Sequence, residues 1–230
     1  DFLPAEVLRK YRLPDRDTAI RGTHFPKDAA QCAQCRRRLI FEELLNIQLM
    51  LQLVKKDCAR DGKGIALHCA DGSDKKKVAQ LMNNLPFQLT EAQLRVWAKI
   101  CRDMESPQEM NRLVLGDVGS GKTILAVLAM LKAIAAGYQA VYMAPTEILA
   151  EQHMRTISTL LSPLGIRCVL LTGSLRGRAK QELYAEIESG AAQCIIGTHA
   201  LIQAGVPYAK PGLVITDEQH RFGVRQRAKL

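Results

Sequence analysis

The fold is decided by Leu113-Val114-Leu115-Gly116-Asp117-Val118-Gly119-Ser120-Gly121-Lys122-Thr123. Its last eight residues form a complete G-x-x-x-x-G-K-T. An apolar triplet suited to a short buried strand precedes them, and from Lys122 an apolar run reads as a helix that stops at Gly137. Glycines let successive backbone N–H groups turn inward around phosphate oxygens, and the helix start adds the positive end of its dipole. Gly116, Asp117, Val118, Gly119, Ser120 and Gly121 are therefore expected to cradle a nucleotide's phosphates. Lys122 should reach the terminal phosphates, and Thr123 should hold a magnesium ion (Mg2+).

Reading outward, the strand-then-helix cycle repeats. Gln139 to Ala144 reads as a strand, Thr146 caps a helix to about Leu161, and Arg167 to Leu171 is a third strand. A helix ending at Ser189 and Gly190 precedes the strand Cys194-Ile195-Ile196, and Leu213 to Thr216 is another strand. Near-continuous apolar strands separated by helices imply an α/β fold, a parallel sheet with helices on both faces. Upstream, Thr90-Glu91-Ala92-Gln93 spells a capping box that opens the first helix of this domain, which we assign to residues 85–230. Residues 1–84 read as a mainly helical connector. Pro4, Pro14 and Pro26 make its first thirty residues irregular, with Gly22-Thr23-His24 as a loop, and one long helix follows from about Ala30 to Arg60. The part of that helix from Leu39 to Val54 reads as buried, and Asp71-Gly72 with Lys75 to Lys77 reads as a polar stretch.

Composition sets the limits. The 32 Lys and Arg against 23 Asp and Glu give a net charge of +9, which suits an anionic partner such as nucleic acid. Seven cysteines, an odd number with no secretory signal ahead of them, suggest a reducing cytoplasmic setting and no disulfide framework. Cys32 and Cys35 have zinc-like spacing without the second pair that a zinc site needs. Glu42, Glu43, Asn46, Gln48 and Gln52 interrupt the apolar run from Leu39 to Val54, so no membrane span is expected.

The strand Leu213-Val214-Ile215 leads into Thr216-Asp217-Glu218-Gln219-His220. Two adjacent carboxylates repel, and a bound magnesium relieves that repulsion. Asp217 stands where a phosphate-loop protein needs its metal carboxylate, and Glu218 can orient and deprotonate the attacking water. Lys122 and Glu218 are thus the candidate catalytic residues. Gln219 and His220 are not needed for hydrolysis, so they suit a role in reporting it elsewhere.

Asp-Glu-x-His after such a strand is similar to the Walker B motif of superfamily two helicases. GDVGSGKT, MAPTEILAEQH, GTHALI and DEQHRFGV, in this order and spacing, resemble the RecG family of ATP-dependent DNA helicases, over most of residues 85–230. The resemblance implies a RecA-like sheet, ATP with Mg2+ as cofactors, and action on branched DNA such as forks and Holliday junctions. It makes Phe87 and Gln93 the adenine-recognition segment. Pro145, Thr146, Thr172, Gly173, Thr198 and His199 become contacts to the DNA backbone, and Gln219, His220 and Arg221 couple hydrolysis to DNA or to a further domain. It also implies a second motor domain and an amino-terminal wedge domain that these 230 residues do not contain, so the chain reads as a fragment that binds ATP but hydrolyses it weakly. The family more often has glutamine before GDVG and an aliphatic residue before DEQH, where Leu115 and Thr216 stand here. Two other readings stay open: the motor half of a transcription-repair coupling translocase, and a slow nucleotide-binding switch acting through protein contacts.

Overall fold

The computed structural model describes residues 1–61, 64–69, 71–117, 119–203 and 205–218, leaving aside the side chains of residues 55 and 57–61. It divides into two compact units, Asp1–Gly62 and Lys63–Leu230.

In the first unit the prolines punctuate helices. Helix α1 (Ala5–Tyr11) begins directly after Pro4, α2 (Arg16–His24) follows Pro14 and Asp15, and Pro26 lies beyond its end. The expected irregular first thirty residues are therefore largely helical, because each proline falls where a missing N–H costs nothing. Asp15 supplies the cap of α2, accepting the Thr18 N–H at 3.0 Å. Gly22-Thr23-His24, expected as a loop, is the last turn of α2. Gly22 is there for proximity: a Cβ at that position would lie 2.5 Å from Cys35 Sγ on α3 (Ala29–Asp61). Buried Arg38 of α3 donates to Glu42 Oε2 and to Asp1 Oδ1, each at 2.7 Å. The long helix matches its expected span but not its expected burial. Ile40, Leu44, Ile47, Leu51 and Val54 are exposed at alternating four- and three-residue steps, because α2 packs only along part of α3. Among the described residues no helix is long and apolar enough to cross a membrane.

The second unit contains α4 (Ser73–Asn83), α5 (Glu91–Met104), α6 (Lys122–Ala135), β1 (Gln139–Met143), α7 (Glu147–Leu161), β2 (Cys168–Leu171), α8 (Gly177–Glu188), β3 (Cys194–Gly197) and β4 (Pro211–Thr216). The strands form one parallel sheet in the order β2-β3-β1-β4, with Val141 opposite both Ile195 and Val214. Alternation along the strands builds a core on each face. Ala140, Tyr142, Cys194 and Ile196 pack with α4, α5, α6 and α7 on one side, while Val141, Met143, Val169 and Ile195 meet Ile187 of α8 on the other. The expected α/β fold with helices on both faces is what forms.

One local expectation fails in this unit, and a second segment carries more structure than its composition suggests. Leu113-Val114-Leu115 joins no ladder; Leu113 and Leu115 are exposed. An apolar triplet shows that a segment suits a sheet, whereas pairing depends on which strand lies beside it. The polar stretch after Gly72 is helix α4, and its Lys75, Lys76 and Lys77 face solvent. Its other face buries Val78 and Leu81, and buried Asp74 meets Lys132 of α6 at 2.6 Å. Gln139, at the start of β1, ties down the sheet's amino end. Its amide donates to the carbonyls of Ile187 and Ala192 and accepts from the N–H groups of Ala209 and Lys210.

Candidate functional site

Helix α6 enters the core and hands the chain, through Gly137, to the start of β1, so it runs antiparallel to the strands. Its amino terminus, with the glycine-rich loop, therefore lies at the carboxyl edge of the sheet, where open parallel sheets place their ligands. Gly119 and Gly121 both have φ of +80°, a conformation that side-chain-bearing residues rarely adopt. Gly121 caps α6. Its φ calls for glycine, and a Cβ on it would lie 2.3 Å from Gln93 Nε2, so the amide would have to move to admit one. Lys122 Nζ donates to the carbonyls of Gly116 at 2.7 Å and Asp117 at 2.8 Å, which holds the ammonium against the loop. Val118 lies outside the described residues.

Gln93 anchors the loop from a second helix. The capping box is present: Gln93 N–H donates to Thr90 Oγ1, and Gln93 Oε1 accepts the Thr90 N–H at 2.8 Å. The other end of that amide, Nε2, donates to Ser120 O at 2.9 Å. Phe87 is exposed in the loop ahead of α5.

The acid pair follows β4 at the same edge. The Asp217 N–H extends the ladder to Met143 O at 2.9 Å. Asp217 Oδ1 accepts the Glu218 N–H at 3.0 Å, and Oδ2 lies 2.9 Å from His153 Nε2 on α7. The His153 hydrogen bond holds the Asp217 carboxyl below the ordinary carboxylate range, against partial burial, and the Tyr142 hydroxyl makes a smaller contribution. Glu218 is exposed with φ of +48°, an uncommon backbone conformation for a residue with a side chain. Gln219, His220 and Arg221 lie outside the described residues.

The three turns expected to meet a nucleic-acid backbone converge on this edge. Pro145-Thr146 follows β1, and Thr146 caps α7 by accepting the Leu149 N–H at 3.3 Å. Thr172-Gly173 follows β2, with Thr172 and Ser174 hydroxyls 2.7 Å apart. Glu147 Oε1 accepts the Ser174 N–H at 3.1 Å, joining the first two turns. Thr198-His199 follows β3; His199 is exposed, and the buried Thr198 hydroxyl has no hydrogen-bond partner.

Sequence reasoning missed His153. The buried stripe of α7 is Ala150, Ile157 and Leu161, and His153 stands three residues after the first and four before the second. A polar residue on a sheet-facing stripe needs a partner, and that is the signal that could have found it.

The fold and loop define a phosphate-loop nucleotide-binding domain with a strand-end acid pair. A DEAD/DEAH box helicase profile matches residues 90–230, so the chain belongs to the DEAD/DEAH box helicase family, on its RecG branch. It is 50% identical over 225 residues to the ATP-dependent DNA helicase RecG of Streptococcus pneumoniae, which covers 98% of this chain and 33% of that protein. It is 45% identical to RecG of Synechocystis sp. and 43% identical to RecG of Bacillus subtilis, covering the whole chain in both cases and 27% and 33% of those proteins. A solved structure of RecG bound to a three-way DNA junction superposes with a TM-score of 0.84 at 41% identity, covering 97% of this chain and 30% of that one. The chain thus spans about a third of the length of the curated relatives it matches.

Proposed function

We propose that this chain is the first motor domain, with its connector, of an ATP-dependent helicase that remodels branched DNA such as forks and Holliday junctions in recombination and fork repair. The observation that carries the reading is the gathering, on one sheet edge, of the phosphate loop, the Asp217–Glu218 pair and three hydroxyl-bearing turns. Motor action needs a nucleotide site and a polymer track served by the same rigid element. RecG relatives at 41–50% identity favour this reading over a transcription-coupled translocase. The compartment we infer is the cytoplasm, where such DNA is handled.

ATP would lie with its phosphates in the loop. Magnesium fits the residues present, because the Asp217 carboxylate and the Thr123 hydroxyl offer the hard oxygen donors it takes, and nucleotide phosphates and water could fill the rest of its shell. Thr123 and Asp217 would be its protein ligands, and it would supply charge neutralisation for phosphoryl transfer. Lys122 would bind the terminal phosphates, and Glu218 would act as base. Phe87 and Gln93 would contact the adenine, with Gln93 next to the loop through Ser120. Pro145, Thr146, Thr172, Gly173, Thr198 and His199 would meet DNA phosphates, and Gln219, His220 and Arg221 would couple the two sites. We assign residues 1–84 to the connector and 85–230 to the motor, although α4, in the connector by sequence, packs on α6.

The test is titration with a fluorescent ATP analogue and magnesium, with and without forked DNA. The chain should bind, Lys122→Ala should lose binding, and Glu218→Gln should keep it. Equal affinity of the parent and Lys122→Ala would sink the reading. Failure of forked DNA to bind, with nucleotide binding intact, would favour the protein-contact switch.

A further inference from the structure

We propose that His153 is a positioning residue for Asp217, fixing the metal carboxylate to helix α7 and so to the turn that opens that helix. The inference rests on the nucleotide-binding role proposed for Asp217 and deepens it.

Four observations lead there. A carboxylate can only accept, so at 2.9 Å the imidazole Nε2–H donates to Oδ2 of Asp217. The ring cannot turn away easily, since it packs against Tyr142 of β1 with centroids 4.8 Å apart, and its helix neighbours Ala150 and Ile157 are fully buried. The other oxygen, Oδ1, accepts from the Glu218 backbone, so the two bonds together set the rotation of the carboxylate plane. Finally, the helix that carries His153 begins at Thr146, and its first residue, Glu147, holds the Ser174 N–H of the next turn along the edge.

Seven residues, about two helical turns, thus separate a turn on the nucleic-acid side from a hydrogen bond to the metal carboxylate. A shift of α7 along or about its axis moves Nε2 relative to Oδ2. The carboxylate must then either follow or lose its donor. Partners that orient metal ligands typically change metal affinity by about 10–100-fold when removed. The route differs from one through Gln219, His220 and Arg221, because it runs through the helix after β1.

Manganese as a magnesium substitute, counted by electron paramagnetic resonance on the chain with ADP, separates this role from simple packing. His153→Phe keeps an aromatic ring against Tyr142 and removes the donor; His153→Gln restores a donor N–H without the ring. The expected result is manganese affinity about 10-fold or more weaker in His153→Phe, partial recovery in His153→Gln, and metal-free ADP affinity unchanged in both. Parent-like manganese affinity in His153→Phe would overturn the inference, as would an equal loss with and without metal, the mark of a merely structural histidine. If His153→Phe does not fold, His153→Ala, which also lacks the donor, decides: unchanged metal-free ADP affinity with manganese binding about 10-fold weaker supports the role, and parent-like manganese binding overturns it. A parent chain that binds no ADP would instead overturn the nucleotide reading beneath it.

Discussion

At Gly121 two constraints meet in one residue. Its φ of +80° would be strained by any side chain, and its missing Cβ makes room for Gln93 Nε2. Gly121→Ala should therefore weaken nucleotide binding by about 10-fold or more, from a left-handed strain of about 1–2 kcal/mol and displacement of the amide, measurable by the same titration. Gln93 does two jobs that substitution can separate. Gln93→Glu keeps an acceptor for the Thr90 N–H and loses the donor to Ser120, so nucleotide affinity should fall while thermal stability holds. Gln93→Leu loses both bonds, and its capping loss of about 1 kcal/mol should also lower the melting temperature by a few degrees. Calorimetry of the two variants distinguishes these outcomes; equal melting temperatures would show that the cap contributes nothing. The cap at Thr90 and the loop glycines are legible in sequence because both are local patterns. The Gln93–Ser120 and His153–Asp217 bonds are not, since each joins residues far apart in the chain, and only the odd polarity of His153 on an apolar stripe hints at the second.

Elements repeat the contrast. The helix from Lys122 and the strands β1 to β3 are readable because their apolar content is fixed by burial between helical layers, whereas the edge strand β4, with Val214 exposed, is readable only as a short apolar run; Thr146 and Gly137 mark element ends. Leu113 to Leu115 has the same apolar character and joins no ladder, because a strand needs a neighbour as well as a pattern. Helix α4 hides for the opposite reason: its lysines dominate its composition, while the residues that dock it, Asp74, Val78 and Leu81, are few. Lys132 of α6 donates to Asp74 at 2.6 Å and to Glu105 at 2.8 Å, with the ammonium almost wholly buried. Burial pushes the Asp74 carboxyl up, but the Lys132 hydrogen bond and charge, with backbone N–H groups, outweigh it and hold the carboxyl below its ordinary value. For Lys132, burial pushes down, and the two carboxylates raise it overall. An acid whose folded value is depressed stabilises the fold above its unfolded value, about 3.9, and that contribution is lost as pH falls through the lower folded value. A lysine raised by its partners contributes fully below its unfolded value, about 10.4, and loses that contribution as pH climbs past the folded one. The cluster is thus intact across neutral pH. Stability of the parent should drop below about pH 4 more steeply than that of Asp74→Asn, compared by urea melts at about pH 3 and about pH 7; parallel curves would show that Asp74 does not titrate with folding.

The whole molecule raises the question of where the motor begins. Two cores sandwich the sheet, and α4 contributes Val78 and Leu81 to one of them, so Lys63–Leu230 contains its own interior. The sequence places the change of character at residue 85, because there the capping box and the strand-helix cycle start. Packing instead groups α4 with α6 and the sheet. A chain of residues 63–230 should keep nucleotide affinity within about twofold of the parent, since no side chain assigned to the nucleotide lies before Phe87 and the removed unit has its own contacts at Arg38, Asp1 and Glu42. A chain of residues 85–230 removes α4, and with it both Asp74, one of the two carboxylates that hold Lys132, and the cover over this face of α6. The ammonium meets water once α4 is gone, so the main cost is the apolar burial lost with Val78 and Leu81, about 1.5–3 kcal/mol for each fully buried side chain. The shorter chain should therefore melt at a clearly lower temperature than the 63–230 chain. Equal melting temperatures for the two chains would mean that α4 rides on the motor without supporting it, and that the sequence boundary at residue 85 is also the energetic one.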